Sequence, residues 1–167
     1  AMRVAAIVPA YNEEKTIGGV VKTLKSSPLI GEVIVISDGS KDKTAQLARE
    51  AGADLVHELP WRHGKGSAMS HGVTHTDAPI LFFADADLTG FTVQHIADIV
   101  NPVLEGKYAM NVGLRDRGGF FTRLQYYLPL IGGERAMLRK VFTDIPDYYM
   151  KGFKAESALN YYCRANK

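Results

Sequence analysis

The stretch Met2-Arg3-Val4-Ala5-Ala6-Ile7-Val8-Pro9-Ala10-Tyr11-Asn12-Glu13-Glu14 decides the fold. Apart from Arg3 its first eight residues are a continuous apolar run, and the run ends in turn chemistry. A short run of this kind is expected for a strand buried on both faces. Val33 to Ile36 repeats the pattern and ends in Ser37-Asp38-Gly39-Ser40. Between the two runs Ile17, Val20, Val21 and Leu24 fall at i, i+3, i+4 and i+7, the apolar face of a helix that Ser26-Ser27-Pro28 closes. The result is a strand, helix, strand unit.

The alternation continues outward. A helix through Leu47, Ala48 and Ala51 ends at Gly52, a short strand follows over Asp54 to His57, and a helix is expected from about Gly66 to Thr76. Ile80 to Ala84 is the third buried strand. Ile96, Ile99, Val100, Val103 and Leu104 mark an amphipathic helix in which Asn101-Pro102 predicts a kink or a break. Tyr108, Met110 and Val112 alternate like a half-buried strand. Strands and helices alternating through short loops predict an α/β fold with a mostly parallel twisted sheet and helices on both faces. After Gly113 the rhythm gives way to paired glycines, aromatics and Pro129, and the remaining elements are short.

Composition narrows the function. The 167 residues carry 20 Lys+Arg against 18 Asp+Glu, a net charge of +2 that gives no support to a nucleic-acid partner. No apolar run approaches the roughly 20 residues of a membrane span, and no charged-then-apolar leader opens the chain, so the expectation is a cytoplasmic protein. Ala1 ahead of Met2 reads as a cloning remnant. The single cysteine, Cys163, excludes an internal disulfide and a multi-cysteine zinc site.

In open α/β sheets ligands sit beyond the carboxyl ends of the strands, and the residues there are acids. Tyr11-Asn12-Glu13-Glu14, Asp38-Gly39-Ser40-Lys41-Asp42 and Asp85-Ala86-Asp87 follow the three buried strands. Each loop alone reads more readily as helix caps and turns; three at one edge point to a site. In an extended segment side chains two apart project to one side, so Asp85 and Asp87 can converge on one hard cation, Mg²⁺ or Mn²⁺. Trp61-Arg62-His63-Gly64-Lys65-Gly66-Ser67 sets a lysine between glycines at a helix start, a place suited to anions, although it completes neither a Walker A loop nor the dinucleotide fingerprint. Metal carboxylates beside a basic loop suggest a diphosphate ligand. The five histidines share no metal-site spacing, and His71 and His75, at i and i+4, read as one helix face.

These residues resemble glycosyltransferase family 2, on the GT-A fold. Val8 to Glu14, Val33 to Thr44 and Phe82 to Leu88 carry the match in order and spacing, and Gly64-Lys65-Gly66 with Ala68 falls where the family has its Gly-Lys-Gly segment. Later matches are Gly113-Leu114-Arg115, Gly132 to Ala136 and Gly152 to Glu156. The resemblance implies transfer of a sugar from a nucleotide sugar to an acceptor. It places Pro9, Ala10, Tyr11 and Glu13 around the base and ribose, Asp38 on the base, Lys65 near the nucleotide, Asp85 on ribose or metal, and Asp87 on the metal bridging the diphosphate. Within the family the tail is most similar to polyprenyl-phosphate hexosyltransferases of the dolichol-phosphate mannose synthase type. Thr89 stands where those enzymes commonly have a glutamine metal ligand, and many continue past the equivalent of Lys167, so Lys167 reads as a shortened or minimal catalytic end.

The expectation is therefore a single catalytic domain over residues 1–167, with a nucleotide-binding part at about 2–100 and an acceptor part at about 101–167. A UDP- or GDP-hexose would be the donor and a polyprenyl phosphate, or another small acceptor, the recipient. Arg115 and Arg117 could hold a phosphate by the guanidinium fork, or be solvated loop arginines. Glu156, at a helix start, is the candidate base for a hydroxyl acceptor; a phosphate acceptor is already anionic at pH 7 and leaves it a positioning or capping role. Phe120, Phe121, Leu124, Tyr127 and Leu128 share a helical face that fits core packing or peripheral membrane contact. Rival readings are a nucleotide-sugar-binding domain without turnover and, well below it, a nucleotidyltransferase, which would carry a glycine-rich basic loop where Pro9 to Glu13 stands.

Overall fold

The computed structural model describes residues 3–113 and 134–145. Six strands form one sheet: β1 Val4–Ala10, β2 Glu32–Asp38, β3 Leu55–Leu59, β4 Ile80–Phe83, β5 Met110–Val112 and β6 Arg135–Leu138. Their order across the sheet is β3-β2-β1-β4-β6-β5. The β1–β2, β1–β4 and β2–β3 pairs are parallel. β6 runs antiparallel to both β4 and β5, so the mostly parallel expectation holds for the first four strands and is reversed at this edge. Arg135, fully buried, stands inside β6, and a charged residue just after paired glycines masks a strand from a hydrophobicity reading.

Alternation along each strand separates two cores. Val4, Ala6, Val8, Val33, Val35, Ile80 and Phe82 face α1 (Ile17–Ser26), α2 (Thr44–Glu50) and α4 (Val93–Leu104). Ile7, Ile34, Ile36, Leu81 and Phe83 face α3 (Lys65–Val73) and α5 (Arg139–Thr143). This two-sided burial is why the strands read as unbroken apolar runs. The four apolar positions expected of α1 are its buried ones. β3 and α3 lie slightly off the expected spans: β3 extends to Leu59, and α3 begins at Lys65 and stops at Val73.

Pro102 neither breaks α4 nor is left uncompensated. The helix runs two residues past it, to Leu104. A proline cannot donate to the carbonyl four residues back, here that of Asp98. The Asn111 amide of β5 donates to Asp98 O at 3.3 Å and to Ile99 O at 3.1 Å, so an element distant in sequence supplies the missing donor. We expect Asn111→Ala to cost about 1 kcal/mol, read as a lower urea midpoint at unchanged slope.

The parallel strands deliver their carboxyl ends to one edge. Val112 pairs with Arg135, and Arg135 with Phe83, so β5 leaves and β6 enters the sheet at that same edge.

Candidate active site

Three loops meet there, and much of their polar chemistry ties them together. Asn12 adopts a left-handed backbone (φ 50°), which asparagine tolerates well. Its N–H donates to Ser40 Oγ at 3.0 Å, and its Oδ1 accepts from Lys41 N at 2.8 Å. Glu13 N donates to Thr44 Oγ1, Glu14 N to Asp42 Oδ2, and Lys43 N to Glu14 Oε2. Asn12, Glu14, Ser40, Asp42 and Thr44 therefore lace the loop after β1 to the loop after β2. Thr16 Oγ1 donates to Ala86 O at 2.7 Å and joins the third loop.

Asp38 does the same for the basic loop. It is 2% exposed, and its two oxygens accept from His63 N at 2.7 Å and Gly64 N at 2.9 Å. Gly39 makes that approach possible: its φ is +73°, and a Cβ there would lie 2.5 Å from Arg62 N and Trp61 C. Gly64 also has positive φ (102°) and caps α3, so Lys65 enters the helix at the mouth of the site.

Among the described residues these loops enclose a cleft of about 340 Å³ lined by Pro9, Ala10, Tyr11, Glu13, Asp38, Arg62, Lys65, Ala68, Asp85, Ala86 and Asp87. Every nucleotide and metal residue expected from the sequence in the described part of the chain lines it. Arg115, Arg117, Glu156 and the aromatic stripe at 120–128 lie outside the described residues. The sequence reading did not single out Arg62, whose guanidinium lies 4.1 Å from the centroid of the Tyr11 ring. Its signal was its place in the basic, glycine-flanked loop; its partner lies across the sheet edge.

The electrostatics favour a cation between the acids. Four carboxylates face two basic groups in the lining, and one of the two, Lys65, sits 2.6 Å from Asp85. Glu13 is held above the usual glutamate range, by burial first and then by the charges of Asp87, Asp42 and Asp85, against the lowering hydrogen bond with Thr16. Like charges in this arrangement fit a hard divalent ion with oxygen ligands, and Asp85, Asp87 and Glu13 are the side chains that could hold it. The linkage has a definite sign. A carboxyl whose folded pKa lies above its unfolded value binds its proton more readily in the native state, so its contribution to stability is lost as pH rises through that interval. In EDTA, Glu13→Gln should melt above wild type near pH 8 and lose that advantage near pH 4; Mn²⁺ should narrow the gap at the higher pH by stabilising wild type.

Residues 5–156 match Glycosyl transferase family 2. The chain belongs to that family. Protein RfbJ of Shigella flexneri is 33% identical over 116 residues, 70% of this chain and 88% of that protein. Glucosyl-3-phosphoglycerate synthase of Mycolicibacterium smegmatis is 31% identical over 192 residues, 93% of this chain and 62% of the synthase. The crystal structure of the Mycobacterium tuberculosis glucosyl-3-phosphoglycerate synthase with Mn²⁺, UDP-glucose and phosphoglyceric acid superposes with a TM-score of 0.79 at 28% identity, covering 96% of this chain and 64% of that one. Another crystal structure of that synthase holds Mg²⁺ and UDP. This chain thus spans less than two thirds of the synthases it matches, and it shares their GT-A fold. Family and fold are thus those that the sequence resemblance implied.

Proposed function

We propose that this family 2 chain binds a UDP- or GDP-hexose in the cleft and transfers the hexose to an acceptor, with Mg²⁺ or Mn²⁺ held by Asp85, Asp87 and Glu13. The observation that carries the reading is the joint lining of one cleft by those acids and by Lys65 and Arg62. A diphosphate alone meets a surplus of carboxylates there, so donor and divalent ion are expected to bind together. Bound, the ion would act as a Lewis acid on the leaving diphosphate. The chain's own groups do the rest. Pro9, Ala10 and Tyr11 offer the floor for base and ribose, with Arg62 over the Tyr11 face. Lys65 brings a positive charge to the diphosphate side, and its pairing with Asp85 sets its position. Asp38, by holding His63 and Gly64, keeps Arg62 and Lys65 on the cleft wall.

In this reading residues 2–100 serve the donor and 101–167 the acceptor, with Arg115 and Arg117 on phosphate and Glu156 as base or positioning group. A small phosphorylated acceptor has support from the related synthase crystals that hold phosphoglyceric acid; a polyprenyl phosphate rests on the sequence resemblance. No helix among the described residues is long and apolar enough to cross a membrane. The test is product detection by mass spectrometry, with UDP-glucose, UDP-galactose and GDP-mannose offered against phosphoglyceric acid and against a short polyprenyl phosphate. A hexosyl product dependent on Mn²⁺ supports transfer and names the acceptor. Tight donor binding without transfer to either acceptor or to water would instead favour a binding domain without turnover.

A further inference from the structure

Beyond the cleft, the structure joins three histidines that the sequence keeps apart. His57 lies in β3, in register with Ile36, whose side chain faces α3. His71 is in the last turn of α3, and His75 follows its end. The ring centroids are 4.6 Å apart for His57–His71, 5.1 Å for His57–His75 and 5.2 Å for His71–His75. One ring nitrogen from each lies within 4.8 Å of the other two. His71 and His75 do not share a face of α3 as the spacing suggested, because the helix ends at Val73 and His75 lies in the turn beyond it.

We propose that His57, His71 and His75 form a binding site for a borderline divalent transition ion of the Zn²⁺ class, separate from the hard-cation site of the cleft. Three observations carry it. Imidazole nitrogen is a preferred ligand for Zn²⁺, and three such ligands leave a fourth position for water. Two Zn–N bonds at the tetrahedral angle place their nitrogens about 3.4 Å apart, so closing from the observed separation needs only rotation of side chains, one of which, His75, is exposed. Finally, Nε2 of His71 is buried and makes no hydrogen bond, a cost that a metal bond removes.

The surroundings agree. Burial first, then the neighbouring His57, His75 and His63, hold His71 below the usual histidine range, so at neutral pH it has the unprotonated form that binds a cation. None of the three lines the cleft. The ion would tie edge strand β3 to α3, the two elements that flank the Trp61 to Gly64 loop, and its first expected effect is on stability.

The test is calorimetric titration of Zn²⁺ into the untagged protein, with saturating Mg²⁺ present to occupy the acids of the cleft. One Zn²⁺ per chain should bind, and the melting temperature should rise with it. His75→Ala, at an exposed position, should weaken Zn²⁺ at least ~10-fold, as should His57→Ala, each folded by circular dichroism. Mn²⁺ binding at the cleft should stay at the wild-type level in both. Absence of Zn²⁺ binding to wild type, or wild-type Zn²⁺ affinity in His75→Ala and His57→Ala alike, would overturn the proposal. Because the readout is Zn²⁺ on the histidines rather than donor in the cleft, its failure leaves the glycosyltransferase reading untouched, and the converse holds.

Discussion

Asp87→Asn should reduce turnover by roughly a thousandfold or more, about 4 kcal/mol of transition-state stabilisation, and should remove Mn²⁺-dependent donor binding. Asp87 is exposed in the cleft, follows the buried strand β4 through Ala86, and adds to the negative field that lifts Glu13. Asparagine keeps the size and removes the charge, so the three acids of the cluster fall to two. The fold should survive, because the residue is exposed and the loop is anchored to Thr16 through Ala86 O. Glu13 should move toward its ordinary range at the same time. Steady-state kinetics beside a Mn²⁺ titration and a thermal melt separate these effects: loss of activity without a fall in melting temperature is the expected pattern. Near-wild-type activity would remove Asp87 from the site.

Asp38→Asn should act differently, lowering stability and donor affinity together. The carboxylate takes two backbone N–H groups, one on each oxygen, in a place that is 2% exposed. An asparagine has one acceptor oxygen, so its amide would face a donor and leave one part-buried N–H without its partner, at a cost of about 1 kcal/mol. The loop would loosen where it carries Arg62 and enters Lys65, and donor affinity should fall by about tenfold or more. The family resemblance gives Asp38 a second role, on the nucleotide base. The two roles separate in a melt of the ligand-free protein. A lower melting temperature without nucleotide shows the loop anchor, and an unchanged one with weakened donor binding would leave the base contact alone.

How much of this was legible in the chain depended on whether a residue's meaning was local. β1, β2 and β4 announce themselves because both of their faces are buried, and α1 because Ile17, Val20, Val21 and Leu24 keep helical spacing. The acids could be assigned to one site because each follows a buried strand and parallel strands end on one side. β6 was hidden, since a buried arginine gives no apolar signal. The contacts across loops were hidden as well. Asn12, Glu14 and Asp42 look like ligands or caps in isolation, whereas their partners, one loop away, make them fasteners. Arg62 over Tyr11 and the meeting of His57 with His71 and His75 depend on which strands become neighbours, which spacing along one chain does not encode.

If the acids and basic groups at this sheet edge bind a nucleotide sugar together with a divalent ion, neither should bind tightly without the other. Calorimetric titration of UDP-glucose and GDP-mannose, first with Mn²⁺ and then with EDTA, tests it most directly. One donor should bind with Mn²⁺, EDTA should abolish the binding, and Asp87→Asn should do the same with metal present. Binding of equal strength in EDTA, or in Asp87→Asn with Mn²⁺, would contradict it.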